Sequence, residues 1–405
     1  MNVISGGVTA VPGFSAAGIK AELKKNGNKD MALVYSNVEA TVAGVFTTNV
    51  VKAAPVQRDI EIVKNKETVR GIILNAGNAN ACTGEAGKKA DKAMAKSAAD
   101  ALGVSKDSIL TASTGVIGQL LPEDKVVAGA KLAVAALKED GGTEAAEAIM
   151  TTDTYKKECA VTVSIGGKNV TVGAMTKGSG MIHPNMATML CVCATDVNIE
   201  KALLQEAISE VVNKSFNMIS VDRDTSTNDT YVVLANGKAG NEKIACKNAD
   251  YEAFKEAMEY VAVTLAKLMA ADGEGATKLL EVKVVNASSN EDAKVLSKSV
   301  ITSNLVKAAV FGNDANWGRI FCALGYSGVS FNPEVIDLYI ESEAGKIQVT
   351  KDGMATDYSE EFATEILKGK AVTATVDMKA GSGEATAWGC DLTYDYVKIN
   401  GDYRS

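Results

Sequence analysis

The sequence predicts a mixed α/β protein with more than one domain. Short alternating or β-branched runs alternate with helical patterns along the whole chain. The chain has 405 residues, of which 46% are hydrophobic and 23% are charged, so it can bury the cores of two or three domains. Strand patterns are more frequent in the last part of the chain. We therefore expect a main α/β region over residues 1–280 and a smaller, strand-rich C-terminal α/β domain over residues 281–405.

Each predicted element follows from its local pattern. Alternating or β-branched runs predict strands at Met31–Tyr35, Thr41–Thr47, Gly71–Asn75, Ala160–Ile165, Val170–Met175, Tyr231–Ala235, Leu280–Val285, Val335–Ile340, Ile347–Thr350, Val372–Val376 and Leu392–Val397. Helical spacing of apolar residues predicts helices at Gly87–Leu102, Glu123–Lys138, Ile199–Lys214 and Tyr251–Met269. The first of these helices shows the pattern, because Ala90, Met94 and Ala98 share one face and Gly103 follows as a C-cap.

Charge and sequence patterning exclude several partners. Lys and Arg number 42 against 50 Asp and Glu, which gives a net charge of −8 and argues against nucleic acid or an anionic membrane surface as partner. The N-terminus has no basic region followed by an apolar run, so we expect no signal peptide. The longest uncharged stretch, residues 178–195, contains too many polar groups to span a membrane. A soluble, cytoplasmic protein is expected.

Histidine and cysteine usage limits the chemistry. His183 is the single histidine, which excludes sites that need two or more imidazoles, such as most catalytic zinc sites. The seven cysteines are an odd number and are scattered, which indicates reduced thiols and not a disulfide framework. We expect no metal and no cofactor. A nucleophilic enzyme of this composition needs a general base other than imidazole, and we interpret His183 as a loop side chain.

Clusters of Gly, Asn, Thr and Ser interrupt the apolar pattern. NAGNANACTG at residues 75–84 is either a loop that leads into a helix capped by Thr83 or a loop of amides that lines a substrate site. In the next cluster, Thr114 and Gly115 offer a hydroxyl and a closely approaching N–H, which suit an oxyanion, although a structural turn has the same composition. In MTTDT at residues 150–154, either Thr151 or Thr152 starts a strand, or Thr154 faces a polar ligand.

The stretch KGSGMIHPNMATMLCVCATD at residues 177–196 contains a candidate nucleophile. Thr188 stands at the abrupt change from polar to apolar residues, which is typical of an activated hydroxyl at the boundary of an element. If the Thr188 hydroxyl attacked the carbonyl of Ala187 and the bond broke, the freed α-amine would have a pKa of about 7.7 to 8. Such an amine can deprotonate the hydroxyl of its own residue, so no histidine is needed.

Three further polar clusters lack the spacing of known ligand loops. The cluster at residues 215–230 is rich in carboxylates but lacks the spacing of a calcium loop. DGEGATK at residues 272–278 lacks the spacing of a phosphate-binding P-loop. The third cluster, NDANWGR, covers residues 313–319.

Taken in order, these clusters resemble those of the ornithine acetyltransferase family, also called glutamate N-acetyltransferase. The resemblance covers the chain from GVTAVPGFSAAGIK at residues 7–20 to the terminal VKINGDYRS. It implies the layered α/β fold of that family, with self-cleavage after Ala187 and Thr188 as nucleophile. It also implies that Thr114 and Gly115 stabilise the oxyanion. The substrate contacts that it implies are Thr154, Lys177, Thr188, Glu274, Asn400 and Ser405, the last at a position that is often Thr.

The resemblance also implies a reaction. The Thr188 hydroxyl would take the acetyl group of N2-acetyl-L-ornithine and pass it to L-glutamate in arginine biosynthesis. The two cleavage products, residues 1–187 and 188–405, would remain associated as an α2β2 assembly, and Lys177 and Glu274 would pair with charged groups of the substrate. Acetyl-CoA stays open as a second donor. Two alternatives remain: a self-cleaving aminopeptidase or amidase of a related fold, and a binding protein in which the clusters only form a pocket.

Overall fold

The computed structural model describes residues 1–183 and 189–402, which fall into two compact units. The described residues of the first unit are 1–178, 189–217 and 225–265. Those of the second unit are 179–183, 218–224 and 266–402. Three predicted functional residues, Ala187, Thr188 and Ser405, lie outside the described residues.

The first unit is built on one large sheet. Its strands are β1 (Asn2–Ile4), β2 (Phe14–Ile19), β3 (Met31–Phe46), β4 (Thr68–Asn78), β5 (Ile109–Val116), β6 (Lys157–Ile165), β7 (Lys168–Lys177), β8 (Leu190–Thr195) and β9 (Thr230–Ala235). The strand order is β1-β6-β7-β8-β9-β3-β4-β5, with β2 paired to β3. Two neighbouring pairs, β8 with β9 and β4 with β5, are parallel. Strands β8 and β9 are buried at every residue, which explains why both read as continuous apolar runs.

Helices cover the sheet of the first unit. They are α1 (Ala54–Asn65), α2 (Gly84–Leu102), α3 (Glu123–Ala135), α4 (Gly142–Ala148), α5 (Lys201–Lys214) and α6 (Ala249–Ala271), the last of which continues into the second unit. Successive residues of one strand belong to different apolar clusters, because side chains alternate between the faces of a sheet. Leu33 packs with residues of α2 and α3, whereas Val34 packs with residues of α1 and α4. The sheet is therefore buried on both faces, which is the layered arrangement expected.

The second unit has a smaller sheet. Its strands are β10 (Leu279–Ala287), β11 (Asp337–Ser342), β12 (Gly345–Lys351), β13 (Met354–Ala355), β14 (Ala371–Asp377) and β15 (Gly383–Cys390), in the order β13-β12-β11-β14-β10-β15. Its helices are α7 (Asn290–Ile301), α8 (Asn304–Phe311), α9 (Trp317–Gly325), α10 (Glu360–Leu367) and α11 (Tyr394–Asp402). Strand β10 lies between β14, to which it is parallel, and the edge strand β15, to which it is antiparallel, and α7 packs on β10 and β15.

The structure confirms the α/β class and corrects individual elements. Two predicted strands, Met31–Tyr35 and Thr41–Thr47, belong to the single strand Met31–Phe46, because the polar residues between them stay in the extended chain. The strand predicted at Leu392–Val397 is wrong. That segment leads into helix α11, where the hydroxyl of Thr393 accepts a hydrogen bond from the backbone N–H of Tyr396. Val397 is 68% exposed, so its alternation with polar neighbours does not mark the buried face of a sheet.

In the parts of the chain that the structure describes, no helix is long and apolar enough to cross a membrane.

Candidate active site

The residues predicted to stabilise an oxyanion lie at the end of β5. Thr114 and Gly115 directly precede Val116, the last residue of this strand, and they lie next to the parallel strand β4. Gly115 has a φ of +133°, and a Cβ built on it would lie 2.3 Å from the carbonyl carbon of Gly77 on β4. A side chain would need another φ and more space, so this backbone conformation requires glycine. The two strands therefore pack backbone against backbone at the position predicted to donate an N–H to an oxyanion.

Lys177 contacts the hydroxyl of Thr114. It is the last residue of β7, is only 8% exposed, and donates a hydrogen bond of 3.2 Å from Nζ to Thr114 Oγ1. A hydroxyl oxygen that accepts from an ammonium group keeps its own proton for another acceptor. A positive charge and a hydroxyl donor thus lie side by side. This combination stabilises negative charge that develops on a carbonyl oxygen.

A buried carboxylate, Asp153, organises the chain beside Lys177. Its Oδ1 accepts hydrogen bonds from Lys157 Nζ at 2.7 Å and from the backbone N–H of Gly178 at 2.8 Å. Its Oδ2 accepts from the backbone N–H of Thr151 at 3.0 Å. Burial alone would raise the pKa of Asp153, but the ammonium groups of Lys177 and Lys157 outweigh it and lower the pKa to about 2. Asp153 is therefore ionised at neutral pH and compensates two cations.

Asp229 is a second buried carboxyl group close to Lys177. Burial raises its pKa well above the ordinary value, although the backbone N–H of Met189 hydrogen-bonds to it and Lys177 opposes the rise. Its Oδ2 has no hydrogen-bond partner within the described parts of the chain. Met189 directly follows Thr188 in the sequence, and Leu190 is paired with Lys177 between β8 and β7. Asp229 therefore anchors the chain that follows the predicted nucleophile.

The asparagine side chains of NAGNANACTG donate hydrogen bonds to backbone carbonyls. Asn75 Nδ2 donates to the carbonyl of Asn78 at 2.9 Å, Asn78 Nδ2 donates to that of Gln119 at 3.2 Å, and Asn80 Nδ2 donates to that of Gly87 at 2.9 Å. Helix α2 begins after Thr83, as the loop interpretation expects, but the Thr83 hydroxyl donates to Asn80 Oδ1 and does not cap the helix. These side-chain amides satisfy backbone groups, which favours the interpretation of the cluster as a loop that leads into a helix.

In the second unit, Glu274 and Asn400 contact each other. Asn400 Nδ2 donates a hydrogen bond of 2.8 Å to Glu274 Oε2, and the backbone N–H of Glu274 donates to the carbonyl of Ser179 at 2.8 Å. A Cβ built on Gly180 would lie 2.2 Å from Glu274 Cδ. The second glycine of KGSG therefore leaves the space that the carboxylate of Glu274 occupies. Glu274 is half-buried and Asn400 is exposed. Two residues that lie 126 positions apart therefore form one polar pair.

His183 has a structural environment. Its Nδ1 lies 3.0 Å from Ser220 Oγ, and burial, with Lys298 and Arg223 adding to it, lowers the pKa of the imidazole to about 4. The backbone N–H of the preceding residue, Ile182, donates to Asp222 Oδ1 at 2.9 Å. The imidazole is neutral at physiological pH, which agrees with its interpretation as a loop side chain.

The structure brings some of the predicted residues together and leaves others apart. Thr114, Gly115 and Lys177 meet in the first unit, and Glu274 and Asn400 meet in the second. Thr154 directly follows the buried Asp153 and is exposed. Among the residues that the structure describes, no three His, Cys, Asp or Glu side chains are grouped in a way that could hold a metal ion.

Sequence reasoning missed Asp153, Asp229 and Lys24 as parts of this site. Burial lowers the pKa of Lys24 to about 8, and its Cγ lies 3.2 Å from a Cβ built on Gly77, beside the end of β5. Both aspartates stand inside polar clusters that the sequence shows, TTDT and TSTNDT. Their burial, which distinguishes them from surface carboxylates, depends on strands far away in the sequence.

The chain is similar to proteins of one family over nearly its whole length. The ArgJ family profile matches residues 15–405. The arginine biosynthesis bifunctional protein ArgJ of Caldanaerobacter subterraneus subsp. tengcongensis is 50% identical over 405 residues, and that of Symbiobacterium thermophilum is 53% identical over 407 residues; the matches cover 100% of each chain. The crystal structure of the arginine biosynthesis bifunctional protein ArgJ of Bacillus halodurans is 47% identical, has a TM-score of 0.51, and covers 53% of this chain and 100% of its own.

Proposed function

The chain belongs to the ArgJ family, and from this premise we propose that it transfers the acetyl group of N2-acetyl-L-ornithine to L-glutamate. The observation that carries the proposal is the contact between Lys177 Nζ and Thr114 Oγ1, next to the backbone of Gly115. This group of donors fits the oxyanion of an acyl transfer, and it lies at the end of β5, where the backbone of Gly115 packs closely against that of Gly77. The reaction is a step of arginine biosynthesis, in agreement with the names of the relatives.

The transfer proceeds in two halves through Thr188. In the first half, the Thr188 hydroxyl attacks the acetyl carbonyl, the C–N bond breaks, and the hydroxyl proton goes to the leaving α-amine of ornithine. In the second half, the α-amine of glutamate attacks the acetyl-threonine ester, the C–O bond breaks, and the amine proton returns to the Thr188 oxygen. In both halves, the Thr114 hydroxyl and the Gly115 N–H stabilise the oxyanion. The result is a ping-pong mechanism with an acetyl-threonine intermediate.

The base is the α-amine of Thr188, which self-cleavage after Ala187 sets free. Its pKa of about 7.7 to 8 allows it to accept the hydroxyl proton near neutral pH. The cleavage produces chains of residues 1–187 and 188–405, which we propose to associate as α2β2. The neutral, half-buried His183 supports this assignment, because its Nδ1 is engaged with Ser220 and its pKa is about 4.

Charged and polar side chains bind the two substrates. Lys177 attracts the α-carboxylate that both substrates carry, and Glu274 attracts the side-chain ammonium of ornithine. Asn400, which is bonded to Glu274 Oε2, fixes the direction of that carboxylate. Thr154 and Ser405 contribute hydroxyls.

The experiment that tests the proposal joins mass spectrometry to an acetyl-transfer assay. N-terminally tagged wild-type protein should give two chains, the second beginning TMLCV, and Thr188→Ala should give one chain. Wild-type protein should form N-acetylglutamate from acetylornithine only when glutamate is present. Thr162→Ala, a half-buried threonine on β6, is the matched control and should behave as wild type.

Three results would contradict parts of the proposal. Release of acetate from acetylornithine at the same rate with and without glutamate would identify an amidase instead of a transferase. An uncleaved, inactive wild-type chain that still binds acetylornithine would identify a binding protein. An uncleaved chain that transfers acetyl would exclude the α-amine as base.

A further inference from the structure

The two substrates of the proposed reaction differ in the charge of their side chains. N2-acetyl-L-ornithine carries an α-carboxylate and a side-chain ammonium, so its net charge is zero. L-Glutamate carries a second carboxylate, and its α-amine must be neutral in order to attack the acetyl-threonine ester. Lys177 and Glu274 match the charged groups of acetylornithine, but neither matches the side-chain carboxylate of glutamate once Lys177 holds the α-carboxylate. The acceptor therefore requires another cation.

Lys24 is a half-buried lysine beside the residues predicted to stabilise the oxyanion. Its Cγ lies 3.2 Å from a Cβ built on Gly77, and the carbonyl carbon of Gly77 lies 2.3 Å from a Cβ built on Gly115. Gly77 of β4 is thus a close neighbour of both the Lys24 side chain and the backbone at the end of β5. The Lys24 ammonium also interacts electrostatically with Lys177 and Asp153, so it belongs to the charged cluster at this strand end.

The loop that carries Lys24 is held by Asp30. Asp30 is fully buried, and its Oδ2 accepts hydrogen bonds from the backbone N–H groups of Leu23 at 2.6 Å and Lys24 at 2.9 Å. Its Oδ1 accepts from the backbone N–H of Ala21 at 2.6 Å, and its carbonyl accepts from that of Ala76 on β4 at 2.8 Å. The backbone of Lys24 is therefore fixed against the sheet, and we expect a substitution of its side chain to leave the loop in place.

The Lys24 ammonium has a donor left for a ligand. Nζ donates hydrogen bonds to the carbonyl of Lys29 at 2.7 Å and to the carbonyl of Ala148, the last residue of α4, at 3.3 Å. An ammonium group has three N–H donors, and two of them serve these carbonyls in the described chain. A carboxylate at the third donor would make a charge-assisted hydrogen bond, which is stronger than a bond between neutral groups.

The charges around Lys24 do not compensate its burial. The charged groups that act on its ammonium come from three segments and are Asp30, Lys177 and Asp153. Glu147, near the end of α4, is engaged with Lys29 at 3.0 Å. Burial, with Lys177 adding to it, lowers the pKa of Lys24 to about 8, although the two aspartates oppose this shift. The ammonium is charged at neutral pH but unfavourable in its place, and the carboxylate of a ligand would relieve this cost.

We propose that Lys24 binds the side-chain carboxylate of the acceptor L-glutamate. This inference rests on the proposed function and assigns to it a residue that determines the acceptor. Lys177 holds the α-carboxylate of both substrates, whereas Lys24 is engaged only in the half-reaction in which glutamate enters. The side-chain ammonium of acetylornithine is repelled by Lys24 and attracted by Glu274, so the two side chains bind to different charges. One nucleophile can thus serve a donor with a cationic side chain and an acceptor with an anionic one.

The test separates the two half-reactions in the full-length protein. In a ping-pong mechanism, kcat/KM for each substrate reports only the half-reaction in which that substrate takes part. Lys24→Gln, which keeps an amide donor but removes the charge, should lower kcat/KM for glutamate by about tenfold or more and leave kcat/KM for acetylornithine within about twofold. Lys24→Arg, which keeps the charge, should leave kcat/KM for glutamate within about fivefold of the wild type. Lys25→Gln is the matched control, since Lys25 is exposed on the same loop, and should behave as wild type.

L-Glutamine as an alternative acceptor gives a readout that a merely structural role would not move. Glutamine has the shape of glutamate but no side-chain charge, so the preference for glutamate over glutamine measures the contact with a cation. This preference should fall about tenfold in Lys24→Gln. In the wild type it should fall by about fivefold or more from pH 7 to pH 9, because Lys24 loses its charge as the pH rises through its pKa of about 8. Lys24→Arg should keep the preference at pH 9, since arginine stays charged.

Three results would overturn the inference. An unchanged preference for glutamate in Lys24→Gln would do so and leave the proposed function intact. Equal losses of kcat/KM for both substrates in Lys24→Gln and Lys24→Arg would identify a structural role instead. Failure of the wild type to acetylate glutamate from acetylornithine would overturn the proposed function and this inference together.

Discussion

The buried ion pair of Asp153 and Lys157 supports a quantitative prediction about stability. Both side chains are fully buried, and the distance between Oδ1 and Nζ is 2.7 Å. Asp153→Asn keeps the size and shape of the side chain but removes its negative charge. The ammonium of Lys157 then stays buried without its carboxylate, while Lys177 loses a neighbouring countercharge. We expect the first unit to be strongly destabilised, because an uncompensated buried charge costs more than the pair contributes.

The magnitude follows from two related arguments. Loss of one partner of a buried ion pair costs about 3 to 5 kcal/mol. The pKa of Asp153 falls from 3.8 to about 2 on folding, and this shift corresponds to roughly 2 kcal/mol of stability at neutral pH. Because the folded-state pKa is depressed, this contribution is present above pH 4 and is lost as the pH falls towards 2.

The measurement is urea unfolding of Thr188→Ala chains, so that chain cleavage does not separate the variants. At pH 7, Asp153→Asn should lower the free energy of unfolding by about 3 kcal/mol or more, and the difference should shrink as the pH falls below 4. The double variant Asp153→Asn with Lys157→Met should recover much of the loss, because the stranded charge is gone. Asp140→Asn is the control, since Asp140 is 85% exposed, and should change stability by less than about 0.5 kcal/mol. Equal stability of Asp153→Asn and wild type at pH 7 would refute the reasoning.

Two further predictions concern glycine geometry and buried charge. Gly115→Ala should lower kcat for acetyl transfer at least about tenfold, because its Cβ would lie 2.3 Å from Gly77 C. Gly118→Ala is the control, because Gly118 has a φ of +84° and nothing lies within 4 Å of the new Cβ. It should lower the free energy of unfolding by only about 1 kcal/mol and keep the activity. Equal kcat in the two variants would contradict the argument that Gly115 is too close to Gly77 for a side chain. Burial raises the pKa of Asp91 to about 6, because its ionised form is unfavourable in the folded state. Asp91→Asn removes this ionisation, so it should stabilise the protein by up to about 3 kcal/mol at pH 8, where Asp91 is ionised. Below pH 4, where Asp91 is protonated, it should not stabilise the protein. Urea unfolding at the two pH values checks this, and a gain that does not depend on pH would argue against it.

Several properties of this protein follow directly from the order of its residues. Alternating and helical patterns were sufficient for the α/β class, because periodicity reports which face of an element is buried. One histidine in the whole chain excluded imidazole-rich chemistry. The order of the polar clusters identified the family, which the match over residues 15–405 confirms. These conclusions need only local pattern and composition.

Other properties depend on contacts between distant residues. Thr114 and Lys177 are 63 residues apart, and only the sheet order brings the ends of β5 and β7 close enough for their hydrogen bond. The segment Leu392–Val397 alternates like a strand, yet its residues from Tyr394 onwards belong to helix α11. Among the described residues no strand pairs with this segment, and Thr393 binds the first turn of the helix.

The pKa values of buried carboxyl groups also depend on contacts between distant residues. Asp153 and Asp229 look alike in the sequence, but two lysines lower the pKa of the first, whereas burial without full compensation raises that of the second. Burial and pairing are properties of the folded chain as a whole, so only the tertiary structure shows that the pKa values of the two carboxyl groups beside Lys177 shift in opposite directions.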